Sequence, residues 1–526
     1  MRTADLLLVG TNIRTLDESR PRAGALAIGG DRIIGLDDDA LALRGPATEV
    51  IDLHGAVTTP GLVDGHMHPL LGAATFRGAD LGGCRTLDDL RRALRTATAE
   101  VDGWIIGWGL DHNVFGGLEP TNTVLEEILP GRPVFLRLYD AHSALVSPEA
   151  LRRAGVEGRR EFEQRAEVVC DGDGRPTGYL LEFAAMELVH AILPTLPVSV
   201  LHDRLRTVLD DMAATGVTGG HVMDAEDDAL AVYTAFEEAG DLPLRLRIAP
   251  WCMPGMDTEP LLQLQRRRGR RWAVEAVKFF MDGTVEGGTA WLEHPDCHGQ
   301  SHDASWRDTA AYTKAVETFA AAGVQTVTHA IGDAAVRHVI ESLENVDTHG
   351  VRHRIEHLET LPRQLVHRLV GAGLVASMQP VHATFTKPDH SDEWSKRLGS
   401  ERAERAWVCR EIRDAGGTLV LGTDWPVATY DARQVLAQAR LRRAPDSALP
   451  PVGPEQALTG LMALEGMTTH AAAADGTAQE SGRIAVGCRA DVTVFAVDPV
   501  RAPADEVATA PIRLTVSGGL VTHRDT

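Results

Sequence analysis

Two histidines one residue apart, His66 and His68, close the run Thr59-Pro60-Gly61-Leu62-Val63-Asp64-Gly65. In an extended strand residues i and i+2 face the same way, so the two imidazoles project together. Paired neutral imidazoles are the beginning of a site for zinc or its neighbours. Alone, the pair is equally consistent with two surface histidines. Further along, a residue able to bind metal recurs in or after successive apolar runs. Lys278 lies within Ala276-Val277-Lys278-Phe279-Phe280, and His329 closes Val324-Gln325-Thr326-Val327-Thr328. His357 closes Arg354-Ile355-Glu356, and Asp424 follows Leu421-Gly422-Thr423. Each has a plainer reading: a structural ion-pair lysine, a satisfied core histidine, a turn-starting aspartate. The plain readings do not explain why all four fall at the same place in successive elements.

From about residue 200 the chain alternates strand and helix. Strand candidates are 217–221, 244–248, 276–280, 324–329, 353–357, 375–378 and 418–422, with helical stretches at 200–215, 308–322 and 333–344 between them. Such alternation predicts a parallel sheet, and this many units predict a closed barrel. At the C-terminal ends of barrel strands, four histidines, a lysine and an aspartate would converge on one face, where barrel active sites sit.

The flanks differ. Residues 1–58 hold short apolar runs closed by glycine, at 6–9, 25–28, 32–36 and 50–53, with no helical period. Residues 480–526 return to the same character at 492–495 and 512–516, so the two ends are expected to pair in one β-domain outside a barrel spanning 59–479. Residues 75–200 are rich in glycine and proline and interrupt the alternation. They read as an insertion after the first barrel strand, forming a substrate wall or lid. Within it Thr86 is an expected N-cap, and 104–109 and 134–138 are strand candidates.

Composition bounds the function. With 526 residues the chain exceeds one simple core. A net charge of −22 argues against nucleic acid and anionic membranes as main partners. No apolar run is long enough to span a bilayer, and the N-terminus shows no signal-peptide pattern. Six scattered cysteines without a CxxC pattern suit free thiols in a reducing cytoplasm. His294 and His298 beside Cys297 match no metal-finger spacing and read as a solvated loop. A small-molecule substrate is the expected partner; a homodimer is compatible with the sequence, which marks no interface.

The motifs resemble, along nearly the whole chain, those of the amidohydrolase superfamily and more closely its YtcJ-like branch, which includes N-substituted formamide deformylases. They are Pro60-Gly61-Leu62-Val63-Asp64-Gly65-His66-Met67-His68, Trp108-Gly109-Leu110-Asp111-His112-Asn113, Asp140-Ala141-His142-Ser143-Ala144, Val277-Lys278-Phe279-Phe280-Met281-Asp282-Gly283, His329-Ala330-Ile331-Gly332-Asp333, Arg354-Ile355-Glu356-His357, Ser377-Met378-Gln379-Pro380-Val381-His382, Gly422-Thr423-Asp424-Trp425-Pro426-Val427 and Gly487-Cys488-Arg489-Ala490-Asp491. The resemblance implies an α/β fold: a distorted TIM (β/α)8 barrel with a small β-sandwich built from both termini. It implies that His66 and His68 bind a buried metal with Asp424. It further implies that Lys278, carboxylated by carbon dioxide, bridges to a second metal held by His329 and His357. The alternative is an unmodified amine and a single ion. Zinc is the expected metal, although nitrogen and oxygen ligands also accept manganese, iron or cobalt.

The implied chemistry is metal-assisted hydrolysis of a non-peptide C–N bond, most simply an amide or N-formyl group, with Asp424 as general base and then acid. Cyclic amide opening and heterocyclic amine deamination are alternatives on the same scaffold. Deaminases of this superfamily usually lack the bridging lysine. A metal-binding pseudoenzyme with a regulatory role is the alternative of another class. His142, His382, Trp108 and Trp425 are expected substrate contacts; His112 and Asp282 line or hold the pocket; Glu356 and Asp333 support ligands from behind. The family often carries glycine where Ala141 stands and asparagine where Ser147 stands, which bears on loop shape and substrate choice.

Overall fold

The computed structural model describes residues 3–225, 229–240 and 242–525. Its centre is two all-parallel sheets. One has the order Trp272–Val274, Arg245–Ile248, Val217–Val222, Leu62–Met67. The other runs Ala276–Phe280, Gln325–Ala330, Arg354–His357, Val375–Met378, Leu419–Leu421. Single parallel bridges, Met67 to Trp425 and Trp251 to Lys278, cross the two seams between them. Among the described residues the ladder does not form one continuous closed ring. The strands are buried on both faces, which explains their continuous Val/Ile/Leu character. The helices Val198–Ala214, Thr309–Ala321 and Asp333–Leu343 pack their apolar sides into the same large core.

The chain ends meet in a six-stranded sheet. Val57–Pro60 pairs antiparallel with Val492–Phe495, which pairs with Ile512–Ser517. A separate four-stranded sheet, Arg32–Leu36, Leu26–Gly29, Leu6–Val9, Glu49–Asp52, is built from the N-terminal segment alone. That segment does contain a helix, Asp37–Ala42, six residues long and too short to show a period. Three aspartates in its first turn complement the helix dipole.

The stretch 75–200 is more regular than its composition suggests. It forms a six-stranded mixed sheet in the order Glu167–Cys170, Pro176–Leu181, Ser143–Val146, Val134–Leu138, Ile105–Leu110, Ala79–Asp80. It carries two apolar clusters of its own, one around Leu136 and Leu145 and one around Phe135 and Leu180. The glycines and prolines mark turns between short strands rather than irregular chain. Thr86 caps the helix Leu87–Thr96 in a reciprocal box with Asp89. Among the described residues no helix is long and apolar enough to cross a membrane, and the six cysteines are free.

Candidate metal centre and active-site pocket

The strand ends converge as their register requires. Phe280 lies level with His329, and His329 with Glu356, so Lys278 sits two residues deeper than His329 and His357 one residue beyond it. His66 is the penultimate residue of the strand Leu62–Met67, and His68 opens the helix Pro69–Thr75 as its N-cap. Asp64 ties this strand end to the last one. It accepts hydrogen bonds from Thr423 Oγ1 at 2.5 Å, Thr423 N at 2.9 Å and His66 N at 3.1 Å. His357 (φ 74°) and Asp424 (φ 56°) both occupy the left-handed region, which costs non-glycine residues energy and is found preferentially at functional sites.

All six sequence-derived candidates, His66, His68, Lys278, His329, His357 and Asp424, are buried and line one cavity. Asp424 Oδ1 lies 3.5 Å from His66 Nε2 and 3.3 Å from His68 Nε2, and Lys278 Nζ lies 3.5 Å from His66 Nε2. Two atoms bound tetrahedrally at about 2.0–2.2 Å to one ion lie about 3.3–3.6 Å apart. The spacing is loose for charged hydrogen bonds and right for neighbouring ligands. His66, His357 and Asp424 also offer donor atoms within 4.8 Å of one another. His329 adjoins them, its ring centroid 4.3 Å from that of His357.

The tautomers follow from the partners. His66 Nδ1 donates to Glu356 Oε2 at 2.6 Å, and His357 Nδ1 to Gln379 Oε1 at 3.0 Å, so each leaves Nε2 as a lone pair. His329 Nε2 donates to Gly283 O at 3.1 Å and leaves Nδ1. Burial and Lys278 bring His66 down to about 4. Burial and the charges around them hold His329 and His357 well below their ordinary value. All three are neutral and able to ligate. Burial also pulls Lys278 down to about 8, raising the share of free amine that carbon dioxide needs. His68 goes the other way. Burial lowers it, but Asp224 and Asp424 outweigh burial and raise it. The carboxylates call for a positive charge at this spot, and a metal ion would replace the proton. Among the described residues His68 Nδ1 and both oxygens of buried Asp224 lack hydrogen-bond partners. The donor set therefore fits a divalent metal.

Behind the cluster, buried Arg354 braces Glu356 with two hydrogen bonds, at 3.0 and 3.1 Å. Of the expected substrate contacts, His142 and His382 line the cavity. His142 Nδ1 donates to Glu182 Oε2 at 2.8 Å. His382 Nε2 has no hydrogen-bond partner among the described residues and lies 3.7 Å from Asp424 Oδ2. Trp108 and Trp425 do not line it. Trp425 packs against the helix Pro69–Thr75 at Gly72, where an added Cβ would strike its ring. Trp108 stacks on Phe76 at 3.9 Å in an adjoining cavity, which shares Tyr139, Ala141, Phe385, Pro426 and Val427 with the central one. His112 sits behind the wall, 3.1 Å from Tyr179 Oη. Asp282 accepts three backbone N–H groups, from Trp291, Ile331 and Gly332, and holds the loop behind His329. Asp333 binds Glu293 N and Ala334 N rather than any of the histidines, because it opens a helix and serves its first turn.

Sequence reasoning missed Asp224, Asp140, Glu286 and Glu359. Asp224 lies two residues past the strand Val217–Val222, and Glu359 two past Arg354–His357; the strand-end rule that found the histidines reaches both. Ala141 has φ 59°, which explains why glycine suits that place, and Ser147 caps the helix Pro148–Arg153 as asparagine also does.

With this geometry in place, comparison with known proteins is decisive for the family. The amidohydrolase family profile matches residues 49–523. This chain belongs to the amidohydrolase family. It is a hydrolase acting on carbon–nitrogen bonds. This amidohydrolase is 26% identical to the N-substituted formamide deformylase of Arthrobacter pascens, over 99% of each chain. It is 26% identical to the putative amidohydrolase YtcJ of Bacillus subtilis, over 91% of each. Its fold matches the crystal structure of an uncharacterized metal-dependent hydrolase from Pyrococcus horikoshii, with TM-score 0.73 and 21% identity over 95% of this chain and 99% of the other.

Proposed function

We infer that this amidohydrolase hydrolyses an amide or N-formyl C–N bond of a small molecule, with His66, His68, Asp424, His329 and His357 as metal ligands. Lys278, once carboxylated, would add an anionic oxygen donor to this set. The observation that carries the reading is the 3.3–3.5 Å spacing of donor atoms around Asp424 and His66. The two parallel sheets are read as one distorted barrel, and the sheets at the chain ends as its β-sandwich.

A divalent ion bound there, zinc being the natural candidate, supplies a water of near-neutral pKa and polarises the substrate carbonyl. The remaining work falls to side chains. Burial acts to raise the Asp424 carboxyl, but His66 and His68 outweigh it and hold the carboxyl well below its usual range, so Asp424 is present as a carboxylate. It takes the proton of the attacking water as the new C–O bond forms. It returns that proton to the leaving nitrogen as the C–N bond breaks. For a formamide the balance is one water consumed, with one amine and one formate released. His382 Nε2, which has no hydrogen-bond partner among the described residues, would hydrogen-bond the developing oxyanion. His142, fixed by Glu182, helps orient the carbonyl. The similarity to the formamide deformylase supports this choice of bond.

The test is turnover of a panel of formamides and simple amides by metal-loaded enzyme. Asp424→Asn is expected to lower kcat by about 10²–10⁴ while the fold is retained. Absence of turnover across the panel, or full activity in Asp424→Asn, overturns the reading.

A further inference from the structure

The cavity holds acidic groups besides the metal-site residues. Three buried carboxylates from three segments, Asp140, Glu286 and Glu359, also line it. Neutral groups make up their hydrogen-bond partners. Asp140 accepts from Ser143 Oγ at 3.0 Å, Thr284 Oγ1 at 3.1 Å and His142 N at 3.2 Å. Glu359 Oε2 accepts from Trp394 Nε1 at 2.8 Å. Glu286 is 9% exposed, and its Oε1 accepts a hydrogen bond from Tyr139 Oη at 2.6 Å. None of the three pairs with a lysine or arginine among the described residues; their nearest cationic candidates are His112, 3.8 Å from Asp140, and His382, 3.7 Å from Glu359. Aromatic rings line the same cavity. Tyr139 and Phe385 stand 4.7 Å apart, and Trp407 lines the same wall.

Buried carboxylates are ordinarily paired with cations, because burying an unpaired charge is expensive. Burial and the Glu359 charge push the Glu286 carboxyl well above its ordinary range, as expected where a counter-charge is missing. Aromatic faces beside carboxylates attract a positive nitrogen from a second direction. These carboxylates and the metal-site residues line the same cavity, so a ligand bound there can meet both.

We propose that Glu286, with Tyr139 and Glu359, is the subsite that recognises a protonated amine on the substrate, making the substrate class short ω-amino amides or formamides. The proposal rests on the hydrolytic reading above, in which the scissile bond is met by the cluster around Asp424.

The test separates the two claims. Metal-loaded enzyme is given ω-aminoalkyl formamides with two to five methylenes, each matched with the neutral n-alkylformamide in which methyl replaces ammonium. A charged hydrogen bond in a buried site predicts kcat/KM about tenfold or more in favour of the amine for at least one length. Glu286→Gln is expected to bring the ratio below about twofold. In parallel, n-butylammonium and 1-butanol are titrated by calorimetry, which needs no turnover. Tighter binding of the ammonium that is lost in Glu286→Gln supports the subsite even if no formamide is hydrolysed, and in that case the hydrolytic reading fails alone. Hydrolysis of both formamides with equal efficiency at every length, or equal binding of the two butyl probes, overturns the subsite and leaves the reaction standing. Should Glu286→Gln not fold, the wild-type ratios decide by themselves.

Discussion

Arg354 is the most consequential buried cation behind the proposed metal centre. It is fully buried and donates to Glu356 twice, to Gly65 O at 2.7 Å, to Ser377 Oγ at 3.0 Å and towards His221 Nδ1 at 2.5 Å. Glu356 is equally buried, and among the described residues its carboxylate has His66 as its one hydrogen-bond partner beyond Arg354. Burial acts to raise the Glu356 carboxyl, but Arg354 and His66 together hold it far below its ordinary range. Replacing Arg354 by methionine keeps much of the volume and strands the carboxylate. Removing one partner of a buried pair costs about 3–5 kcal/mol, a large share of a typical total stability of about 5–15 kcal/mol. The assay is urea unfolding of chelator-treated protein, followed by circular dichroism and tryptophan fluorescence, comparing Arg354→Met with the double variant Arg354→Met/Glu356→Leu. The double variant buries no unpaired charge and is expected to recover most of the loss. A single variant costing less than about 1 kcal/mol, or a double variant no better than the single, would refute the reasoning.

Two further outcomes follow from the same structure. Glu356→Gln removes the carboxylate that orients His66 and is expected to weaken metal affinity about 10–100-fold, read by competition with a chelator; unchanged affinity counts against the role given to Glu356. His353 is buried, with Nδ1 accepting from Thr326 N at 3.1 Å and Thr326 Oγ1 at 2.9 Å, and burial lowers it from 6.5 to about 4. Because the folded value lies below the unfolded one, its contribution is intact above pH 6.5 and is lost as pH falls towards 4, by about 3 kcal/mol at 1.36 kcal/mol per unit. His353→Leu is expected to flatten that part of the stability–pH curve, and an unchanged slope would show that other groups set it.

How much was legible before the structure depended on where each residue sits. His66, His329 and His357 were readable because each terminates an apolar run, and parallel strands are apolar throughout when both faces are buried. The strands Val134–Leu138 and Val492–Phe495 were legible as short apolar runs, but the partner strand Val57–Pro60 was not, because residues 59 and 60 read as the entry to the first barrel strand. Loop residues were not. Asp140 and Glu286 look like ordinary loop acids in sequence, because nothing local distinguishes a carboxylate that faces solvent from one that faces a cavity. Trp108 and Trp425 flank expected site motifs, yet their rings pack against Phe76 and Gly72, a matter of backbone direction that residue type does not encode. The sheet within 75–200 was obscured by its turn residues, which outnumber the short strands they separate.

The central claim is that the cluster around Asp424 and His66 is a metal site. The most direct measurement is metal content per chain, by elemental analysis of protein purified without added metal. It is made on the wild type and on His66→Ala/His68→Ala, alongside native mass spectrometry of the peptide region containing Lys278. The account predicts two ions per chain and the mass of one added carbon dioxide in the wild type, with metal lost from the double variant. An unmodified Lys278 with one ion would remove the bridge. No tightly bound metal after reconstitution, or metal retained undiminished by the double variant, would contradict the account.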